Sequence, residues 1–353
     1  MTVTTSYPGV YIEELASSAM SVSNSATAVP AFAIADNDTV FTEPVTRISS
    51  WLDYMGKVGN KFDSTSVRDI SLRTYFENGG GYCYLIPTQH LPSEMPKLVD
   101  VTLLVAAGQD INSDITQLCG DGSTIFAILD GPVDDITQSN EDETATYNTI
   151  ANSAIYYPWL NASWADIAIP PSAAVAGAYC LNDRTRGVWK APANMVLQGG
   201  VTPAFKVTDD LQGRYTQDKA FNMIRQFNNS NTVIWGARTC KDNDAWRYVP
   251  VRRLFNTVER DIKSAMQVAM FEPNSQPTWE SVRSAITNYL YGLWQQGGLT
   301  GSNAEEAFFV QVGKNVTMTE DDIKQGKMII KVGMAAVRPA EFIILQFSQD
   351  VAK

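Results

Sequence analysis

Three short apolar runs decide the fold class of this chain: DVTLLVAAG (100–108), STIFAILDGP (123–132) and SAIYYPWL (153–160). Glycine or proline punctuates each run, as is usual around buried strands. The segments that alternate with them are polar, as in NEDETATYNTIAN (140–152), or rich in alanine, as in PPSAAVAGAYCLNDRTRG (170–187). This alternation predicts an α/β fold in which helices cover a largely parallel sheet.

Further elements extend the same pattern on both sides of these runs. SSWLDYMGKVGN (49–60) and SVRDISLRTYFENGGGYCYLIP (66–87) predict two helices, the second leading through a glycine turn into a strand. NTVIWGAR (231–238) predicts another strand. With 353 residues, of which 44% are apolar, the chain is long enough to form two domains with sizeable cores.

The last third of the chain carries the clearest helical signals. Apolar residues recur every three or four positions from 250 to 271, which predicts one long amphipathic helix. A second helix is predicted to begin at a Thr278 cap and to end at Gly297. A short helix is expected in TEDDIKQG (319–326). Strands are predicted in AFFVQVG (307–313), KMIIKVGMAAV (327–337) and AEFIILQFSQDVAK (340–353).

Both ends of the chain are predicted to be strands without a nearby neighbour in the sequence. In SYPGVYIEELAS (6–17), Val10 and Ile12 fall on one face and Tyr11 and Glu13 on the other. The serine- and alanine-rich run that follows, LASSAMSVSNSATAVPA (15–31), is predicted to be a flexible lead. Because unpaired strands aggregate, two of them suggest controlled polymerisation by strand addition between copies. At the C-terminal end the strand-forming residues are Phe342, Ile343, Ile344, Leu345 and Phe347.

Composition and charge narrow the classes of function. The formal net charge is −11, from 27 basic and 38 acidic residues, which disfavours binding to nucleic acid or to an anionic membrane. No apolar run reaches about 18 residues and the start lacks a signal-peptide pattern, so we expect a soluble protein made in the cytoplasm. The four cysteines, Cys83, Cys119, Cys180 and Cys240, form no C-x-x-C pair and are predicted to be buried, reduced thiols.

No motif in the sequence builds an active site. His90 is the only histidine and no nucleophile signature accompanies it, so the chain offers poor material for a hydrolase. ENGGGYCY (77–84) lacks the G-K-[ST] ending of a phosphate loop. The acidic segment 130–144 matches no EF-hand spacing and is predicted to be a solvated loop. We therefore expect no catalytic residue, no metal and no cofactor.

One group of basic residues is prominent in this acidic chain, and we call it the basic cluster. It comprises Arg252, Arg253, Arg260 and Lys263, which periodicity places on the polar side of the long helix. Two interpretations are open at the level of sequence. The basic cluster is either an ordinary solvated face or a docking surface for an acidic partner.

Several segments together resemble the tail sheath proteins of contractile phage tails and of phage-tail-like injection particles. The resemblance spans most of the chain and is densest in the C-terminal half. Because the chain is short and has no large inserted outer domain, it looks most similar to sheath subunits of extracellular contractile injection systems. The segments are YPGVYIEE (7–14), GVWKAPAN (187–194), IWGART (234–239), YVPVRRLFNTVERDI (248–262), FEPNSQPTWESVRSAITNYLYGLWQQGGLTG (271–301) and PAEFIILQFSQ (339–349).

The resemblance implies a structural protein rather than an enzyme. Sheath subunits stack as six-fold rings around an inner tube, and their terminal arms add strands to the sheets of neighbouring copies. The implied partners are further copies, related sheath subunits, the inner tube protein, and baseplate and terminal cap proteins. Contraction drives the tube through a target membrane. The resemblance further implies that the particle is made in the bacterial cytoplasm, is released and delivers a toxin. The family's middle region is subtilisin-like, but the lone His90 argues against protease activity.

The expected subunit is α/β, with two domains and two arms. We predict an N-terminal arm and linker at 1–26, an outer α/β domain at 27–206, an inner domain at 207–337 and a C-terminal strand arm at 338–353. An acidic tube would dock on the basic cluster. The alternatives are a non-contractile tube or capsid protein and an α/β hydrolase, and microscopy of assemblies in two lengths would separate a contractile sheath from both.

Overall fold

The computed structural model describes residues 20–137, 142–216, 218–227 and 231–342. Its strands are β1 (Pro30–Ile34), β2 (Thr46–Ile48), β3 (Cys83–Pro87), β4 (Leu103–Val105), β5 (Phe126–Asp130), β6 (Ser153–Tyr157), β7 (Leu160–Asn161), β8 (Met195–Val196), β9 (Thr202–Pro203), β10 (Phe221–Gln226), β11 (Thr232–Trp235), β12 (Phe308–Val312) and β13 (Ile330–Met334). Its helices are α1 (Trp51–Lys57), α2 (Val67–Glu77), α3 (Leu91–Glu94), α4 (Asn112–Cys119), α5 (Pro171–Arg186), α6 (Asp209–Arg214), α7 (Val249–Met266), α8 (Gln276–Gln295), α9 (Ala304–Ala307) and α10 (Glu320–Lys324).

Nine strands of the described residues form one sheet, in the order β2-β3-β1-β4-β5-β6-β10-β11-β8. The central strands from β3 to β10 run parallel, whereas β2, β11 and β8 join through antiparallel pairs. The three apolar runs form the adjacent strands β4, β5 and β6. Helices α1, α2 and α5 cover one face and α3, α4 and α6 the other. The predicted α/β class with a largely parallel sheet is therefore confirmed.

Both faces of this sheet are buried, which explains why its strands are apolar throughout. In β5, Phe126 and Ile128 enter the core on one side, and Ala127 and Leu129 enter the core on the other. Helix packing is close on the first side. A Cβ atom on Gly177 of α5 would lie 2.4 Å from a backbone oxygen of α2, so only glycine permits this approach.

The flexible lead predicted from 15 to 31 ends earlier than expected. Pro30–Ile34 forms β1, which lies between β3 and β4 in the middle of the sheet. Ala31 and Ala33 are buried, with exposed fractions of 0% and 1%. The strand was not recognisable in the sequence, because its small residues directly follow a serine-rich run. Small side chains are suited to a strand that is covered by packed elements on both faces.

The sheet continues past the domain boundary that we predicted between 206 and 207. β10 pairs with β6, and β11 joins β10 to β8, so the unit that contains the sheet extends at least to Trp235. We call this part the sheet unit. Local composition could not reveal the pairing, because β6 lies far back in the chain. The outer and inner placement of the two domains stays a prediction.

A separate hydrophobic cluster lies at the C-terminal end of the described chain, and we call the elements around it the C-terminal unit. Helices α7 and α8 and the two-stranded sheet β12–β13 enclose this cluster. The long helix ends at Met266 rather than Phe271, whose φ of 70° is outside the helical region. The next helix begins after Ser275 rather than at Thr278. The strands predicted on either side of the short helix α10 are confirmed as β12 and β13.

Candidate functional site

The residues predicted to form the terminal arms lie mostly outside the described residues. Phe342 is described; it is 71% exposed and, like residues 338–341, lies in no strand. The structure adds the point at which each end of the chain joins the folded subunit. The predicted arm residues outside the described ranges are Val10, Tyr11, Ile12, Glu13, Ile343, Ile344, Leu345 and Phe347.

The two-stranded sheet of the C-terminal unit has open edges. β12 and β13 are antiparallel, and Val310 pairs with Val332 at the centre of the register. Among the described residues neither strand has a second strand neighbour, so each presents an edge of main-chain N–H and C=O groups. Val310, Ile330 and Val332 belong to the hydrophobic cluster yet are only half-buried. This pair therefore has the geometry of an acceptor for further strands.

The N-terminal end of the described chain lies against the same unit. Met20 and Val22 pack on the hydrophobic cluster to which Val310 and Val332 also contribute. From there residues 20–29, which we call the lead segment, run past α7 and enter β1. The segment predicted to be the N-terminal strand therefore joins the subunit beside the unit that carries the open two-stranded sheet.

The C-terminal end is tied to the sheet unit shortly before the predicted strand. Arg238, which follows β11, donates from Nε to Glu341 Oε1 at 2.8 Å and from Nη2 to Oε2 at 2.7 Å. The hydroxyl of Tyr248 also donates to Glu341 Oε2, at 3.2 Å. An arginine that binds a carboxylate through two nitrogens fixes the orientation of the carboxylate as well as its position. Glu341 thus sets where the C-terminal segment leaves the subunit.

Arg253 of the basic cluster is buried inside the subunit. Its side chain is 3% exposed and forms an ion pair with Asp183 of α5, with Nη2 and Oδ2 2.7 Å apart. Nη2 also donates to the carbonyl oxygen of Thr27 at 3.1 Å, and the guanidinium lies 4.6 Å from the ring centre of Tyr179. Burial opposes the charge, but the Asp183 carboxylate raises the pKa of Arg253 above its ordinary value. This arginine joins α7 to α5.

Arg252 is likewise engaged in contacts inside the subunit. It is 9% exposed, and its guanidinium lies 4.0 Å from the ring centre of Trp246. Nε donates to Asn256 at 2.8 Å and Nη2 donates to Glu259 at 2.9 Å. Asn256 in turn donates to Asn152 of the sheet unit at 2.9 Å. A continuous polar network therefore connects α7 to the segment before β6.

The other two members of the basic cluster differ from this pair. Arg260 donates to the Ser25 hydroxyl at 3.2 Å and to the Ala26 carbonyl oxygen at 3.0 Å. Lys263 is exposed and forms no ion pair with another described residue. The expectation of one shared solvent-facing surface is therefore corrected. Periodicity separates the apolar side of a helix from its polar side, but α7 lies between two units, so much of its polar side meets protein.

Sequence reasoning missed the residues that hold the lead segment. They are the hydroxyl residues Ser25 and Thr27 and their partners Asp261 and Asp183. Each pair joins positions far apart in the chain, so no local spacing could reveal it. The hydroxyl groups of the serine-rich run were the one available signal. They did not help, because the same serine-rich composition predicted a flexible segment.

The described residues contain no assembled metal or membrane-spanning site. No group of three or more His, Cys, Asp and Glu among them could hold a metal ion, and no helix has the length and apolarity needed to cross a bilayer. His90 lies in a half-exposed turn, where its backbone carbonyl accepts a hydrogen bond from Ser93. The four cysteines are free and buried as predicted, and burial raises the pKa of each thiol, which disfavours the reactive thiolate.

Asp130 occupies a place where α/β enzymes often carry functional groups, at the carboxyl end of a central strand. Its carboxylate accepts hydrogen bonds from the Ser172 N–H at 2.7 Å, the Ser172 hydroxyl at 2.9 Å and the Gly108 N–H at 2.8 Å. It therefore ties the start of α5 to the loop after β4. Burial raises the pKa of Asp130 to about 6, although the three hydrogen bonds oppose the shift.

Replacing this carboxylate, Asp130→Asn, should remove a pH dependence from folding stability. Its pKa rises from an ordinary 3.8 to about 6 in the folded chain. The Asp130 side chain therefore stabilises the folded chain most at pH values below 3.8. This contribution is lost as the pH rises through about 6, the pKa in the folded chain. We expect the unfolding free energy of the wild type, relative to D130N, to fall by about 1–3 kcal/mol across this interval in urea titrations.

The control for this titration is Asp142→Asn, in an exposed loop. Hydrogen bonds from Thr144 lower the pKa of Asp142, so its contribution to stability has the opposite sign and appears above its ordinary pKa. The stability of the wild type relative to D142N should therefore not fall over the same interval. Parallel pH curves for the wild type and D130N would contradict the role assigned to burial.

Comparison with known proteins first identifies the C-terminal unit. Residues 241–350 match the family model of the phage tail sheath C-terminal domain. A stretch of 136 residues is 27% identical to the tail sheath protein of Vibrio phage KVP40 and covers 37% of this chain. The same stretch covers 20% of the phage protein, so the match spans about a fifth of that relative's length.

Solved structures match nearly the whole chain. The sheath complex of an extracellular contractile injection system, PVC, in its contracted state is 59% identical, with 99% of each chain covered and a TM-score of 0.92. A chain of the anti-feeding prophage baseplate in its contracted state is 49% identical over 98% of this chain and 100% of that chain, with a TM-score of 0.90. These relatives are structural components and not enzymes. The chain therefore belongs to the contractile tail sheath protein family.

Proposed function

We propose that this chain polymerises as stacked six-fold rings around an inner tube, and that the sheath contracts to drive the tube through a target membrane. The observation that carries this proposal is the 59% identity, over 99% of both chains, to a sheath complex in the contracted state. The energy for contraction resides in an extended array that relaxes to a lower-energy packing, so no nucleotide is required.

The chain ends connect neighbouring copies in this proposal. The predicted strands around 10–13 and 342–347 add to the open edges of β12 and β13 in other copies. The support is geometric: both ends leave the subunit at defined contacts, and the half-buried Val310, Ile330 and Val332 would be covered by an added strand. Each added main-chain hydrogen bond contributes about 0.5–1.5 kcal/mol net, and the contribution is repeated at every copy.

The same proposal assigns the C-terminal unit to the tube side of the sheath and the sheet unit to the outside. Of the basic cluster, Lys263 has its charge free to face an acidic tube, whereas the three arginines are engaged within the subunit. A single exposed charge contributes about 0–1 kcal/mol, so docking at Lys263 requires many copies acting together. Baseplate and cap proteins would close the two ends of the sheath.

Particle assembly is assigned to the bacterial cytoplasm, followed by release. Electron microscopy of particles that contain this chain tests the whole proposal. Two forms are expected, one long and narrow and one short and wide, the second exposing the end of the tube. Particles of one fixed length would favour a non-contractile tube or capsid, and a chain that never enters an ordered assembly would contradict the proposal outright.

A further inference from the structure

The lead segment is held at Ser25 and Ala26 by the polar side of α7. The Ser25 hydroxyl donates a short hydrogen bond to Asp261 Oδ1, and the Ser25 N–H donates to the same oxygen at 3.3 Å. Arg260 donates to the Ser25 hydroxyl and to the Ala26 carbonyl oxygen. A carboxylate and a guanidinium one residue apart therefore bind the side chain and the main chain of the lead segment together.

A second pair of charged residues holds the next position. The Thr27 hydroxyl donates to Asp183 Oδ2 at 2.6 Å, and the Thr27 carbonyl oxygen accepts from Arg253 Nη2 at 3.1 Å. The Thr102 hydroxyl donates to the same carbonyl oxygen at 2.9 Å. Thr27 is thus bound on three sides, by α5, by α7 and by the residue that precedes β4.

Both carboxylates in this arrangement are themselves fixed in the core. Asp261 is 2% exposed, and its second oxygen accepts from the Tyr289 hydroxyl of α8 at 2.7 Å. Burial and the neighbouring Asp261 raise the pKa of Tyr289, so this hydroxyl keeps its proton and donates it. The Asp183 side chain is 3% exposed and paired with Arg253. Each carboxylate is therefore aimed at the lead segment by a second partner within the fold.

The residues just before this point lack such contacts. Ser21, Ser23 and Asn24 are exposed and make no hydrogen bond with another described residue. Ser25 and Ala26 are exposed as well, but they are the first residues of the lead segment to be held by charged side chains. Met20 and Val22 already pack on the hydrophobic cluster through their apolar side chains, so what begins at Ser25 is the polar anchoring of the lead segment.

We propose that Asp261, Arg260, Asp183 and Arg253 form an anchor for residues 25–27, which holds the base of the N-terminal arm to the subunit. The proposal rests on the proposed function, in which a neighbouring copy holds the arm. A pull on the arm then passes into α7 and, through Tyr289 and Asp183, into α8 and α5. Because hydrogen bonds to charged groups are the strong ones and several must break together, the pull does not reach β1.

Hydrogen exchange of the full chain tests whether the anchor exists. The variant Ser25→Ala with Thr27→Val removes both hydroxyl groups, and Ser21→Ala with Ser23→Ala is the matched control in the same segment. In the wild type, the Ser25 amide, which donates to Asp261 Oδ1, should exchange more slowly than the amides at 21–24. The first variant should exchange there about tenfold faster or more, whereas the control should stay within about twofold of the wild type.

Contraction of assembled particles tests whether the anchor transmits the pull. Arg260→Gln releases the lead segment from one side, and Lys97→Gln, which removes an exposed charge paired with Glu94 on the sheet unit, is the control. We expect Arg260→Gln particles to assemble but to lose uniform contraction, with contracted lengths that scatter between the two wild-type forms. Lys97→Gln particles should contract to the single wild-type length.

The outcomes separate this inference from the proposed function. Exchange of the wild-type Ser25 amide as fast as exchange at 21–24 would overturn the anchor, whatever the particles do. Faster exchange in the variant Ser25→Ala with Thr27→Val, together with uniform contraction of Arg260→Gln particles, would overturn the mechanical role of the anchor. A wild-type chain that forms no sheath would contradict the proposed function, while the exchange result would still decide whether the anchor exists.

Discussion

Removing residues 1–16 should abolish sheath assembly while the free subunit stays folded. The truncation stops before Met20, so the contacts of the lead segment with α7 and α5 are retained. The neighbour would lose a row of main-chain hydrogen bonds, each contributing about 0.5–1.5 kcal/mol. It would also lose the burial of Val10 and Ile12, at about 1.5–3 kcal/mol per side chain. Thermal melting and sedimentation of the same sample measure the two effects.

A shorter truncation supplies the control for this experiment. Deleting residues 1–5 removes chain that precedes the predicted strand and should leave sheath assembly intact. Tyr11→Pro should behave like the long truncation if its N–H lies in the ladder, because proline cannot donate a hydrogen bond. A 1–16 truncation that unfolds would mean that the strand completes its own subunit. A truncation that still builds contractile sheath would show that the segment does not connect copies.

Arg253→Met should destabilise the subunit by about 3–5 kcal/mol, which is the usual cost of removing one partner of a buried ion pair. The variant leaves the Asp183 carboxylate, whose side chain is 3% exposed, with the Thr27 hydroxyl as its remaining described partner. It also removes the cation contact with the Tyr179 ring and the hydrogen bond to the Thr27 carbonyl oxygen. Urea unfolding followed by far-ultraviolet circular dichroism measures the loss.

Two further variants make this result interpretable. Lys324→Met removes an ion pair with Glu320 whose side chains are 67% and 63% exposed, and it should change stability by no more than about 0.5 kcal/mol. Asp183→Leu combined with Arg253→Met removes both buried charges and should recover much of the loss, because no unpaired charge is left inside. A loss below about 1 kcal/mol for Arg253→Met alone would contradict the burial assigned to this pair.

The amino-acid sequence predicted most elements that carry a local signal. The apolar runs at 100–108, 123–132 and 153–160 predicted the strands at the centre of a parallel sheet, and the 3.6-residue period predicted α7 and α8. These predictions succeed because side chains within one element share an environment, so burial leaves a regular pattern in a short window. Two of the segments that resemble sheath proteins, 248–262 and 271–301, lie largely on α7 and α8, so this resemblance is also read in short windows of sequence.

Predictions that depended on distant partners were less successful. β1 was concealed in a serine- and alanine-rich run, because its burial comes from β3, β4 and the helices on both faces. The sheet unit extends past 207, because β10 pairs with β6 rather than with a sequence neighbour. In each case the element itself is short and weakly marked, so its neighbours in space supply most of its stability.

The sequence by itself determined the α/β class, the helices of the C-terminal unit and the membership of the sheath family. Only the tertiary structure decided what the charged residues of α7 do. Arg252 and Arg253 were predicted to lie on a polar face, either solvated or docked to a partner, yet they are buried within the subunit, and Arg260 binds Ser25 and Ala26. The physical reason is that a charge tolerates burial only beside a matching group, and the matching groups are brought to α7 from distant parts of the chain by folding.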